Sequence, residues 1–187
     1  MSKTPDYYKA TNEAYEVLKL YDGAFPRIDI FRILERLPYI KLHTYSEAAR
    51  RMGVTPFTFL SDYTESDMGF TVFDNQNNRW LIYYNDAKSE TTIRFTLAHE
   101  LGHIILRHIY DDDTAGKEAN CFARNILCPV PLRDGYGTKT EQEYCECFFI
   151  SEPMAAATVK LAAYDRKFIT RNHYNAINSR VLLMAFE

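Results

Sequence analysis

Apolar residues recur along this chain at two spacings, and the change from one to the other sketches its elements. Between 6 and 21, Tyr7, Ala14, Leu18 and Tyr21 stand at helical intervals. Gly23 and Pro26 break that run. Asp29 then caps a second helix burying Ile30, Phe31, Leu34 and Leu37, which Pro38 stops. The alternating stretch 40–45 reads as a strand, and 46–52 as one or two helical turns closed by Gly53. Strands follow at 69–73 and 80–84, joined by the turn-rich Asp74-Asn-Gln-Asn-Asn of a hairpin. The helical period returns over 90–109 and 114–127, ending before Pro129.

Pro131, Gly135 and Gly137 make 129–140 a loop. Thr140 with Glu143 forms a capping box that opens a helix through Phe149. Ser151 caps the next, with Pro153 in its first turn. These two form a helix-turn-helix-like hairpin. Val181-Leu-Leu-Met is a candidate terminal strand. The pattern is α+β. The loop at 129–140 divides it at most into a core over 1–130 and a helical C-terminal subdomain over 131–187 packed on that core. A single domain of 1–187 is the other reading.

Composition narrows the class. Of 187 residues, 47% are hydrophobic and 25% charged, the balance of a folded globular chain. A net charge of -3 offers no broad attraction to nucleic acid. The polar start lacks the apolar core of a secretory signal, and no apolar run is long enough to span a bilayer. Cys121, Cys128, Cys145 and Cys147 form no C-x-x-C pair and read as reduced thiols. A soluble cytoplasmic protein is expected.

The chemistry lies in Arg94-Phe-Thr-Leu-Ala-His99-Glu100-Leu-Gly-His103. Histidines four apart share one face of a helix, so both imidazoles reach one ion, and Glu100 lies beside that face. Neutral imidazoles leave zinc a strong Lewis acid, and a carboxylate next to the attacking water can take its proton and pass it to the leaving amine. A catalytic site normally has a third protein ligand. Glu118, one turn before Phe122 on the following helix, is the candidate, because a helical hairpin would return it over His103. Asp111, Asp112 and Asp113 compete, although they read better as a solvated loop. Gly102 is a poor helix former, and a site needing close backbone approach would explain it.

These blocks, followed by Glu118-Ala-Asn-Cys-Phe-Ala-Arg-Asn-Ile-Leu-Cys-Pro, resemble the ImmA/IrrE family of metallopeptidases over roughly 26–165. The resemblance implies a zincin-like core with a small antiparallel or mixed sheet and an active-site helix, followed by a helix-turn-helix-like helical part. It implies Zn2+ held by His99, His103 and Glu118, with Glu100 catalytic. It also implies a protein substrate, namely a helix-turn-helix transcriptional repressor of a phage or mobile element. Gly116 and Cys128 depart from the family's usual acidic residue and Met. The alternative is a non-catalytic metal-containing module that binds or sequesters a repressor. An open coordination position favours the enzyme, and a fourth protein ligand the module.

Other polar residues carry weaker expectations. Asn120 could orient a ligand, and His108 reads as a packing histidine. His173, Tyr174 and Tyr136 are candidate oxyanion donors, each more simply structural. Cys145 and Cys147 point to different helix faces and suggest packing. Ala155, Ala156, Ala157, Val159 and Leu161 also read as packing. The second helix of the hairpin offers few base-reading side chains early on, so direct nucleic-acid binding is not expected.

Overall fold

A computed structural model describes residues 4–110 and 112–184. Its elements run α1 (Tyr7–Leu18), α2 (Ile30–Glu35), β1 (Ile40–Thr44), α3 (Tyr45–Met52), α4 (Pro56–Asp62), β2 (Gly69–Asp74), β3 (Arg79–Tyr84), α5 (Glu90–Leu106), α6 (Asp113–Leu127), α7 (Val130–Tyr136), α8 (Glu141–Phe148), α9 (Glu152–Phe168) and α10 (Arg171–Met184). The fold is α+β, with a mixed three-stranded sheet and a helical remainder, consistent with a zincin-like core.

The sheet order is β1-β3-β2, with β1 parallel and β2 antiparallel to β3. Side chains alternate across β3. Trp80, Ile82 and Tyr84 meet the main core, and Ile82 is fully buried. Tyr83 faces the other way and stacks on Phe70 in a smaller cluster with Tyr45 and Phe59. The register sets Gly69, Thr71 and Phe73 opposite Tyr84, Ile82 and Trp80, so these β2 residues share the face that α5 covers. Gly69 lets the layers meet. A Cβ there would lie 2.5 Å from Thr96 Cγ2 and 2.8 Å from the Tyr83 carbonyl.

The same device seats α6 on α5. A Cβ on Gly102 would stand 3.2 Å from Ala119 Cα and 3.2 Å from Phe122 Cδ1. At that glycine it is the packing of α6 that requires the missing side chain. Leu97, Leu101 and Ile104 turn inward, joining Phe122 and Ile126 of α6. One hydrophobic cluster continues from Ala10 of α1 through Leu132, Phe148 and Ala155 to Ile177 of α10, so residues beyond 130 share the core of those before it. Arg94 ties the parts together. Its guanidinium donates to the carbonyls of Phe148, Phe149 and Ile28.

Several local readings need correction. Residues 130–136 form a helix rather than a loop: Pro131 lies in its first turn, and Gly137, at φ +66°, ends it. Thr55 and Pro56 open α4, which the sequence reading passed over. Val181-Leu-Leu-Met lies in α10, not in a strand. Helix α5 stops at Leu106, short of Ile109. Ser151 stands at the N-cap of α9, but its side chain makes no capping bond. Val159 is exposed rather than packed.

Candidate active site

Helix α5 sets the site because its inward stripe is fixed by the core, which leaves His99 and His103 on an adjoining, partly open face. Their Nε2 atoms lie 3.0 Å apart. Two ring nitrogens at that distance need a proton or a cation between them, since otherwise two lone pairs would meet. Asn120 of α6 stands 2.9 Å away from His99 Nδ1 through its Oδ1. With the Nδ1 proton in that contact, Nε2 presents a lone pair, the arrangement typical of a metal-binding histidine. Two nitrogens held at about 2.0–2.1 Å by a tetrahedral zinc lie about 3.3 Å apart. The pair therefore fits such an ion to within a few tenths of an ångström.

Arg107 terminates α5 in the left-handed region at φ 60°, and the chain doubles back so that the His108 amide donates to the His103 carbonyl. This turn brings His108 Nδ1 to 3.1 Å from His103 Nδ1. The other face of the His108 ring meets Glu118, with Nε2 2.9 Å from Oε2. Glu118 Oε1 accepts from the backbone N–H of Asp6 at 2.7 Å. His108 thus bridges His103 and Glu118. Glu118 itself is 8% exposed, one ring away from the histidine pair. Among the described residues, no group of three or more His, Cys, Asp or Glu side chains gathers as metal ligands would.

Of the competing carboxylates, Asp111 lies outside the described residues. Asp112 caps α6 by accepting from the Ala115 amide, and Asp113 pairs with Lys117.

Glu100 is also 8% exposed and points toward the sheet. Thr71, on the α5-facing side of β2, donates its hydroxyl to Glu100 Oε2 at 2.7 Å. Together they line a cleft of about 400 Å³ with His103, His108, Tyr63 and Tyr110. The far wall is fixed by Tyr45, whose hydroxyl donates to the Ser66 carbonyl at 2.8 Å. Burial, and to a lesser degree the nearby Glu100 carboxylate, push the Tyr45 phenol above its usual pKa.

A model of the peptidase M78 family, described as an IrrE N-terminal-like domain, matches residues 49–131. Over this stretch, which is less than half of its length, the chain is similar to the M78 family. The M78 segment carries β2, β3, α5 and α6, and with them His99, Glu100, His103 and Glu118, though it is shorter than the 26–165 over which the resemblance was drawn. It supports a metallopeptidase-type function, which entails a protein substrate. The chain matches no curated protein. Among the described residues no helix is long and apolar enough to cross a membrane.

The suggested oxyanion donors lie elsewhere. His173 is held against α1 by Asn12 and Glu16, at 2.8 and 2.6 Å, and stacks on Tyr15. Tyr174 donates to Asp134, and Tyr136 lies on the exposed surface of α7. Cys145 and Cys147 are half-buried on α8, packed against the core. The sequence reading gave Thr71 no role, and it treated His108 as packing. The alternation of β2 could have singled out Thr71. Nothing in the sequence marks the turn at Arg107 that redirects His108.

Proposed function

We propose that this protein is a zinc-dependent endopeptidase acting in the cytoplasm on a protein partner, a helix-turn-helix repressor of a phage or mobile element. The observation that carries the reading is the apposition of His99 and His103 at 3.0 Å, beside a shielded Glu100 carboxylate on an open cleft. His99 and His103 would hold the ion, and Glu118 would complete the set by leaving His108, against which its Oε2 lies at 2.9 Å. Zinc, when bound, would supply a Lewis acid and bring the pKa of water down to about 7.

The chain's own residues do the rest. Glu100 accepts the proton of the attacking water and returns it to the leaving nitrogen. Thr71 holds that carboxylate through Oε2. Asn120 fixes the His99 ring. As an outer strand lining the cleft, β2 offers backbone groups along which an extended substrate can lie. Cleavage of a repressor in particular rests on the family resemblance.

The test incubates the purified, zinc-loaded protein with the repressor encoded beside its gene and follows fragments on a gel. Wild type should cut at a single region. Glu100→Gln should bind zinc as well as wild type and lose about two to four orders of magnitude in rate. Equal cleavage by that variant would remove Glu100 from its role.

A further inference from the structure

A second, larger cleft of about 940 Å³ opens between α1, α5, α6 and α9, on the side of α6 that carries Asn120. Its walls are Tyr7, Phe95, Met154, Leu161, Tyr164 and Phe168. The volume is that of a small-molecule site, and so is the composition, a mostly apolar lining with a few polar groups.

Those polar groups are unbalanced in charge. Lys117, Arg124 and Lys160 line the cleft, against one acid, Asp165. The Asp165 carboxylate is already fully engaged. Arg124 donates to it from Nε at 2.9 Å and Nη2 at 2.7 Å, Arg133 from Nη2 at 2.9 Å, and Asn125 from Nδ2 at 3.3 Å. Two buried guanidiniums therefore share one carboxylate, an excess of one positive charge beside the cleft, which Arg124 lines and Arg133 does not. The remaining buried groups do not offset it. Burial raises the pKa of the Tyr15 phenol and the Cys121 thiol and pushes the Cys128 thiol up to about 12, so all three stay neutral. Arg133 Nη1 is buried with no hydrogen-bond partner. Lys117 pairs with Asp113, while Lys160 has no ion-pair partner among the described residues. An anion that enters with an apolar body would meet Arg124 and Lys160 and offset the excess positive charge of the lining.

We infer that this cleft binds an amphipathic monocarboxylate, its head over Arg124 and Lys160 and its alkyl or aryl body among Phe95, Leu161 and Phe168. The site is separate from the zinc reading and does not depend on it. It adjoins it, however. Asn120 lines this cleft and contacts His99, so an occupant would be felt at the His99 ring.

The experiment titrates the full-length protein with decanoate, decanol and decyltrimethylammonium by calorimetry, at low salt and without metal. Decanoate should bind saturably at one site. Decanol should bind about tenfold more weakly or worse for want of charge-assisted bonds, and the cation should not bind. Ala157→Phe fills the cleft from a half-buried position and should abolish decanoate binding. Lys160→Glu, on the exposed rim, should weaken it and decides the matter if Ala157→Phe does not fold. Equal affinity for decanoate and decanol, or unchanged decanoate binding in the folded variants, would overturn the inference. So would saturable binding of an acidic peptide with none of decanoate, which would assign the cleft to a protein chain.

Discussion

Replacing Asp165 with Asn keeps the shape of the side chain and deletes its charge. Asp165 is 1% exposed and receives three hydrogen bonds from two guanidiniums, at 2.7 to 2.9 Å. In the variant one acceptor oxygen becomes an amide donor facing a guanidinium, and both arginines lose their anion. Breaking a buried pair by removing one partner costs about 3–5 kcal/mol, chiefly because a charge is left buried and uncompensated. For a chain of this size each kcal/mol is worth about 2–4 °C in melting temperature, so Asp165→Asn should melt about 6–20 °C lower. Urea denaturation of both proteins measures the difference directly. A loss below about 1 kcal/mol with an unchanged m value would refute the reasoning, because no uncompensated charge would then have been left behind.

The pH dependence gives an independent check. Burial pushes the Asp165 carboxyl up, but the hydrogen bond and charge of Arg124 and the charge of Arg133 reverse this and hold it below the usual carboxylate value. A folded pKa below the unfolded one gives stability that is complete above the unfolded value, about 3.9, and is lost as pH falls through the lower folded value. Wild type should lose this contribution only in acid, and the Asn variant, with nothing to titrate at 165, should show a flatter profile there.

Three further outcomes follow from close contacts. Gly102→Val should destabilise by about 1–3 kcal/mol in urea, since even a lone Cβ there meets Ala119 Cα at 3.2 Å. A neutral result would mean that α5 and α6 are not so closely packed. Asn120→Ala should leave the fold intact and weaken zinc binding by about 10–100-fold in a competition titration with a chelating dye, because the His99 ring loses the contact that orients it. Unaltered affinity would count against that contact. Thr71→Val should keep the melting temperature within a few degrees and cut the cleavage rate by about tenfold or more, because Glu100 loses a charge-assisted hydrogen bond. An unchanged rate would leave Thr71 a packing role only.

The parts of the fold legible in the sequence are those where period and burial agree. The i, i+4 spacing of His99 and His103 was enough to predict that their rings would meet, because α5 has one inward stripe and the pair adjoins it. The alternation of β3 likewise gave its two faces. Elsewhere the same residue types carry opposite meanings. Pro131 and Gly137 read as breakers, yet a proline in a first turn and a glycine just past a last turn are also the start and stop of a short helix. Val181-Leu-Leu-Met is apolar whether helical or extended, so its pattern alone does not decide between the two. At the site, the neighbourhood of Glu118 was readable and its partner was not. That partner, His108, is delivered by a left-handed arginine, a conformation that residue type does not announce.

The amide of Asp6 that holds Glu118 belongs to the N-cap of α1, whose side chain also accepts from the Lys9 amide. The carboxylate at 118 is therefore tethered to a helix end through one oxygen and to His108 through the other. Helix ends open at low free-energy cost, long before the core does. Fraying of that first turn would remove one of the two partners of Glu118, an amide some 112 residues earlier in the chain. A bulky fusion or a protease acting on the first turn of α1 would change the behaviour of the centre without touching any residue in it.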